Sequence, residues 1–241
     1  MKLLRYLMMS VFTVVATLTP VAAQSLTKDQ RSEVNQMIAD YLKNNPEALA
    51  AALDNMQDYY RNQAQQLETR AIADNRDQII SDPRDPRFGP ANAPNVIVEF
   101  FDYNCGYCKR NYTAIQDLMN SRKDVLFIFK ELPILSPTSE KAARMALSID
   151  NQDDYQRFHA ALMKNAGTLD AAALSSITVS LGLDEKKLST LGKRASITDH
   201  LEDTKKLAST LGISGTPSFF INGKIYKGLQ SAEDLKAILD Q

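Results

Sequence analysis

The two cysteines of the chain stand two residues apart in FFDYNCGYCKR (Phe100–Arg110), directly after an apolar run and directly before a helical pattern. That placement constrains the fold more than any other feature. VIVEFF (Val96–Phe101) is short, β-branched and aromatic, which suits a buried strand. Beyond Cys105, the residues Tyr112, Ile115, Leu118 and Met119 recur at helical spacing to near Arg122, and VLFIFKELPIL then reads as a second buried strand. Strand, helix and strand in this order make the unit of an α/β fold, with Cys-x-x-Cys where the first strand passes into the helix.

Three chemistries fit two thiols so placed: a redox dithiol, half of a metal site, or a small structural disulfide. A bridge over so short a loop removes little entropy from the unfolded chain, and two cysteines are no scaffold for a chain of this length. Zinc needs further ligands at characteristic spacing, and the two histidines, His159 and His200, form no such pattern and read as ordinary surface or helix residues. The metal expectation is therefore none, with Cu(I) held by two soft thiolates as the open alternative. For the dithiol the position is favourable. Unpaired N–H groups and the positive end of the helix dipole at Cys105 favour thiolate over thiol. Cys105 is thus the expected nucleophile, in a class whose pKa values run from roughly 3.5 to 7.5. Cys108, one turn on, is placed to resolve a mixed disulfide, and Gly106 and Tyr107 between them tune the thiolate.

Residues 1–23 read as a secretory signal, with Lys2 and Arg5, an apolar stretch from Leu7 to Leu18, and Val21-Ala22-Ala23 before Gln24. The expected compartment is an oxidising one where disulfides persist, the periplasm, with outer-membrane association or surface exposure as variants. Taking Lys2 and Arg5 from 28 basic residues leaves 26 against 29 acidic ones, which gives no footprint for nucleic acid.

Residues 24–81 are polar and helical. Thr27 and Gln30 make a capping box, Val34, Met37, Ile38, Tyr41 and Leu42 form one stripe, and Asn44-Asn45-Pro46 interrupts the pattern. Leu49, Leu53, Met56, Tyr60 and Leu67 then follow a heptad-like seam, which reads equally as a coiled coil or as a helix folded back on its own domain. Residues 82–95, within SDPRDPRFGPANAPN, hold four of the nine prolines and read as a semi-rigid linker.

VEFFDYNCGYC together with GTPSFFINGKIYKG farther on resembles the DsbA-like branch of the thioredoxin superfamily, exported thiol-disulfide oxidoreductases. The resemblance covers residues 96–241. It implies a thioredoxin fold with an inserted helical subdomain at about 137–212, where the helical pattern is unusually long. It also implies that Pro217 is a cis-proline beside the cysteines, that Thr216 contacts substrate, and that a buried acid at Glu99 serves proton transfer to the resolving cysteine, with Lys130 as a nearby charge. Plain thioredoxins carry tryptophan before the first cysteine, where this chain has Asn104.

Gly-Tyr between the cysteines and threonine before the cis-proline resemble the exported disulfide isomerases rather than the strong oxidases. The N-terminal helical segment resembles that of ScsC-like members, which carry an N-terminal trimerisation stalk. The expectation is therefore an oligomeric disulfide isomerase or reductase, a dimer or trimer. It would use no cofactor beyond the Cys105–Cys108 disulfide, with misfolded exported proteins as clients and a membrane redox partner. A dithiol oxidase and a copper-binding or surface interaction protein are the competing readings.

Overall fold

The computed structural model describes residues 25–240. The secretory signal expected at residues 1–23 lies outside them. Two compact units divide the chain between Tyr59 and Tyr60.

In the first unit, helix α1 (Lys28–Asn44) starts at a reciprocal cap. Thr27 Oγ1 accepts from the Gln30 N–H at 3.2 Å while Gln30 Oε1 accepts from the Thr27 N–H at 3.0 Å. Asn45 ends it, donating both its N–H and its side-chain amide to the Tyr41 carbonyl, and α2 (Pro46–Asp74) begins with proline at its first position, where no N–H is missed. No residue of α1 is buried. Val34, Met37, Ile38, Tyr41 and Leu42 are exposed, and so are Leu49, Leu53 and Met56 of α2.

The second unit runs through α3 (Arg76–Ile80), β1 (Arg87–Phe88), β2 (Asn95–Phe101), α4 (Gly106–Ser121) and β3 (Val125–Glu131). Five helices follow: α5 (Pro137–Ala146), α6 (Gln152–Lys164), α7 (Ala171–Ser180), α8 (Glu185–Leu191) and α9 (Ala195–Thr210). They fill the span expected for a helical insertion. The hairpin β4 (Ser218–Ile221) and β5 (Lys224–Lys227) turns at Asn222-Gly223, both with positive φ, and α10 (Ala232–Leu239) closes the fold. The sheet order is β1-β3-β2-β4-β5, with β2 and β3 parallel and the other pairs antiparallel.

Strand pleating splits the core in two. Ile97, Phe101, Phe127, Phe129 and Phe219 face α4, α6 and α10, whereas Val98, Phe100, Ile128 and Phe220 face Ile72, Ile79 and the end of α9. The Pro-rich stretch, expected as a semi-rigid linker between two segments, is part of this unit. Arg87 and Phe88 pair with Ile128 and Phe127, Asp85 is buried, and the Phe129 N–H donates to the Pro86 carbonyl. Proline removes its own donor but leaves its carbonyl, so a proline-bearing segment can still edge a sheet. Both histidines lie on helices, as expected, His159 on α6 and His200 on α9, and each is only 2 % exposed rather than at the surface.

Candidate active site

Cys105 occupies the N-cap of α4, and its Sγ accepts from the Cys108 N–H at 3.2 Å. On its other side Sγ lies 3.1 Å from the Thr216 carbonyl oxygen, and the Thr216–Pro217 bond is cis. The loop from α9 into β4 thus covers the thiol. Thr216 Oγ1 is buried and has no hydrogen-bond partner. Both thiols are unbridged and buried.

The two thiols are driven apart in acidity. Hydrogen bonding from Cys108 lowers Cys105 from the ordinary 9 to about 6, against the opposing effect of burial and with help from Thr216 and the N–H groups of Cys108 and Tyr107. Burial pushes Cys108 far upward, reinforced by Cys105 and by the charge of Glu99. Glu99 does face this side of the sheet. It is 3 % exposed, its Oε1 has no hydrogen-bond partner, and burial, followed by the charge of Cys105, raises it to about 8.

The site residues expected from sequence are not all brought together. Cys105, Cys108, Thr216, Pro217 and Glu99 converge; Lys130 does not. Parallel register sets Lys130 beside Phe100, and Glu99 beside Phe129, so the lysine projects from the opposite face. There it pairs with Asp85 at 2.5 Å, both side chains buried, with His200 Nε2 3.2 Å from the other Asp85 oxygen. Gly106 and Tyr107 are exposed, and the Arg110 guanidinium lies 4.3 Å from the centre of the Tyr107 ring. A β-carbon at Gly106 would meet nothing within 4 Å.

Two residues that position the site were given no role from sequence, Asp102 and Asn104. Asp102 Oδ1 accepts from the Asn104 N–H at 2.7 Å, and Oδ2 accepts from the N–H groups of Ile134 and Leu135, each at 2.9 Å. Asn104 reaches into the insertion: its amide donates to Ser136 Oγ at 2.8 Å and to the Leu169 carbonyl at 3.1 Å, while its Oδ1 accepts from the Leu169 N–H at 2.6 Å. Tyr107, Ile134 and Leu135 are exposed, and so is Leu229, next to Gly228, whose N–H donates to the Pro217 carbonyl.

Beneath the loop Tyr103 donates to Glu131 at 2.8 Å and lies 3.2 Å from His159 Nδ1, with Tyr155 also on Glu131 at 3.3 Å. Burial holds Glu131 well above the usual carboxylate range and holds His159 down at about 3, each shifted toward its neutral form. Phe101, Tyr112 and Phe129 pack around the imidazole.

A family model described as Thioredoxin matches residues 81–241. The chain belongs to the thioredoxin family. The match begins within the Pro-rich stretch, in agreement with its pairing to β3. A linker-deletion variant of ScsC from Proteus mirabilis is 28 % identical with a TM-score of 0.69, over 91 % of this chain and 97 % of that one. The thiol-disulfide exchange protein α-DsbA2 from Wolbachia pipientis is 28 % identical with a TM-score of 0.66, over 73 % of this chain and 95 % of that one. The fold is thus the thioredoxin fold of ScsC and DsbA-like proteins. Among curated proteins, a Na(+)/H(+) antiporter NhaA 1 from Salinispora arenicola is 31 % identical over 66 % of this chain. The chain spans about a quarter, 24 %, of that relative's length, and among the described residues no helix is long and apolar enough to cross a membrane.

Proposed function

We propose that the protein is an exported thiol-disulfide oxidoreductase acting on protein clients through Cys105 and Cys108, as an oligomeric disulfide isomerase or reductase. The carrying observation is the opposite displacement of two thiols in one turn: Cys105 falls to about 6 while Cys108 is driven up. Such a pair holds one thiolate ready at neutral pH and keeps the second protonated until it is needed. The thiol-disulfide exchange named for the Wolbachia relative supports the reading.

In the proposed cycle the Cys105 thiolate attacks one sulfur of a client disulfide, and the other client sulfur leaves as thiolate. The mixed disulfide abolishes the negative charge on Cys105, which is one of the two influences that raise Glu99. Glu99 can then ionise and take the Cys108 proton. The Cys108 thiolate attacks Cys105 Sγ, the client's second thiolate departs, and Cys105 and Cys108 are left as a disulfide. In the isomerase mode a client thiol attacks the mixed disulfide instead and Cys105 is released unchanged. Thr216 and Pro217 would hold the client strand against the thiol, and no cofactor beyond the dithiol takes part.

The compartment proposed is the periplasm, with misfolded exported proteins as clients and a membrane redox partner. The uncovered apolar stripes of α1 and α2 would join two or three copies. One observation favours an oxidase instead: stabilising the Cys105 thiolate stabilises the reduced pair, which makes its disulfide the stronger oxidant. Thiol trapping in cells separates the two. A pair found mainly reduced supports the isomerase or reductase, and a pair found mainly oxidised supports the oxidase. If neither insulin reduction nor scrambled-ribonuclease refolding is detectable and Cu(I) binds stoichiometrically, the oxidoreductase reading fails.

A further inference from the structure

Beside the Cys105 end of α4 a cleft of about 550 Å³ opens between that helix and the segment 163–168, the end of α6 and the loop that follows it. Its charged lining is Lys109, Arg110 and Lys164, and no carboxylate lines it. Lys109 Nζ donates to the Gly167 carbonyl at 2.6 Å, Arg110 stacks on Tyr107, and Lys164 Nζ lies 5.9 Å from the centre of the Tyr112 ring. None of the three forms an ion pair among the described residues, although the chain as a whole carries a slight acidic excess. The nearest acid before the dithiol, Asp102, is 1 % exposed and has both oxygens occupied by backbone N–H groups. Gly106, the first residue of α4, completes the lining and brings the positive end of the helix dipole to the cleft.

We infer that this cleft receives an acidic segment of the client polypeptide next to the reacting cysteine, so that the protein favours clients whose disulfide is flanked by aspartate or glutamate. The inference rests on the oxidoreductase reading and names the client class for that site. Asp102 and Cys105, the acids that act on Lys109, are outnumbered by the three cations, so the field over the approaching client is net positive. Such a field raises encounter rates and is screened by salt beyond about 10 Å at 0.1 M ionic strength. The exposed Tyr107, Ile134, Leu135 and Leu229 supply apolar contact but no charge, so discrimination falls to the cleft.

The test uses the full chain, reduced, and three peptides that share one internal disulfide and differ only in the two residues on each side of one cysteine: Asp, Ser or Lys. At low salt the Asp peptide should be reduced about tenfold faster than the Lys peptide, with Ser between them, and the ratio should shrink toward one at high salt. In the Arg110→Glu, Lys164→Glu double variant the order should reverse, which only a folded and active protein can show. The salt dependence of the unmodified protein decides the matter without that variant. Equal rates for the three peptides at low salt overturn the acidic-client inference and leave the oxidoreductase intact. Reduction of none of them overturns both.

Discussion

Cys105 Sγ sits 3.1 Å from the backbone carbonyl of Thr216, a residue 111 positions away in the chain. A carbonyl can accept from a thiol but has nothing to offer a thiolate, so this contact favours the protonated form. The buried Thr216 hydroxyl does the reverse, because it can donate once the proton has left. Thr216→Val should therefore raise the Cys105 midpoint from about 6 toward 9, as measured by the pH dependence of alkylation. A midpoint left in place would mean that the hydroxyl does not act on the sulfur.

The dithiol itself makes a sharper prediction. With a midpoint of about 6, roughly nine-tenths of Cys105 is thiolate at pH 7, so rapid alkylation at neutral pH should be confined to Cys105. Cys105→Ser should abolish insulin reduction. Cys108→Ser should accumulate client mixed disulfides, because the resolving thiol is gone. Turnover by the Cys105 variant would end the assignment.

Buried neutral groups should shape stability against pH. Glu99 is raised in the folded protein to about 8, and Glu131 is raised as well, so between the unfolded carboxyl range and the folded one the unfolded chain gives up protons that the fold retains. Their contribution to stability must then fall as pH rises from about 4.5 to 8, while Cys105, lowered to about 6, adds stability as pH rises from about 6 toward 9. His159 acts from the other side: depressed to about 3, it leaves the unfolded chain as the proton binder below about 6.5, and stability falls as pH drops from there. Glu99→Gln should flatten the alkaline limb, removing a penalty of roughly 3 kcal/mol at pH 7. Urea denaturation at pH 5 and pH 8 checks it. A variant whose stability falls as steeply as that of the unmodified protein would place the penalty elsewhere.

The strand–helix junction carrying the dithiol was legible because two periodicities meet there. VIVEFF has no helical repeat, and Tyr112, Ile115 and Leu118 have no strand repeat. The N-terminal helices, the Asn45-Pro46 break and the Asn222-Gly223 hairpin were legible from caps and turn residues whose partners are local. What depended on distant partners was not. The side of the sheet on which Lys130 falls is set by the register of β2 on β3, which no residue announces. Asp102 and Asn104 act through Ile134, Leu135 and Leu169, and a short polar residue before a cysteine looks the same whether or not such partners exist. The same holds for Asp85 and Arg87 in the Pro-rich stretch, whose place at the sheet edge follows from Lys130 and β3.

Asn104 ties the residue before the nucleophile to both backbone groups of Leu169. Leu169 is 1 % exposed, so removing the amide strands an N–H and a carbonyl away from water. Unsatisfied buried groups cost about 1–3 kcal/mol each, and Asn104→Ala should lower stability by an amount in that range or somewhat above. Amide exchange at Leu169 should accelerate beyond that global loss, since its acceptor has gone. Exchange that merely follows global unfolding would show that the bond to Leu169 is dispensable.

The segment before the thioredoxin domain carries the last prediction. No residue of α1 is buried, and its stripe of Val34, Met37, Ile38 and Tyr41 stays exposed, as do Leu49, Leu53 and Met56 beyond the Pro46 break. A 17-residue helix is barely long enough to persist in water without tertiary support, so a stripe of this size calls for a covering surface. Further copies of the same chain would supply it through the same stripe. Joining copies places a second Cys105 within reach of a client already held by the first, which multiplies the effective concentration of nucleophile where a disulfide must be broken and remade. Simple oxidation needs only one encounter and gains nothing from this. Deleting residues 24–59 should therefore give a folded monomer that loses scrambled-ribonuclease isomerase activity and keeps dithiol oxidation. Light scattering on the undeleted protein at micromolar concentration should report two or three copies, and a monomer there would remove the stripe's role and place the oxidase first.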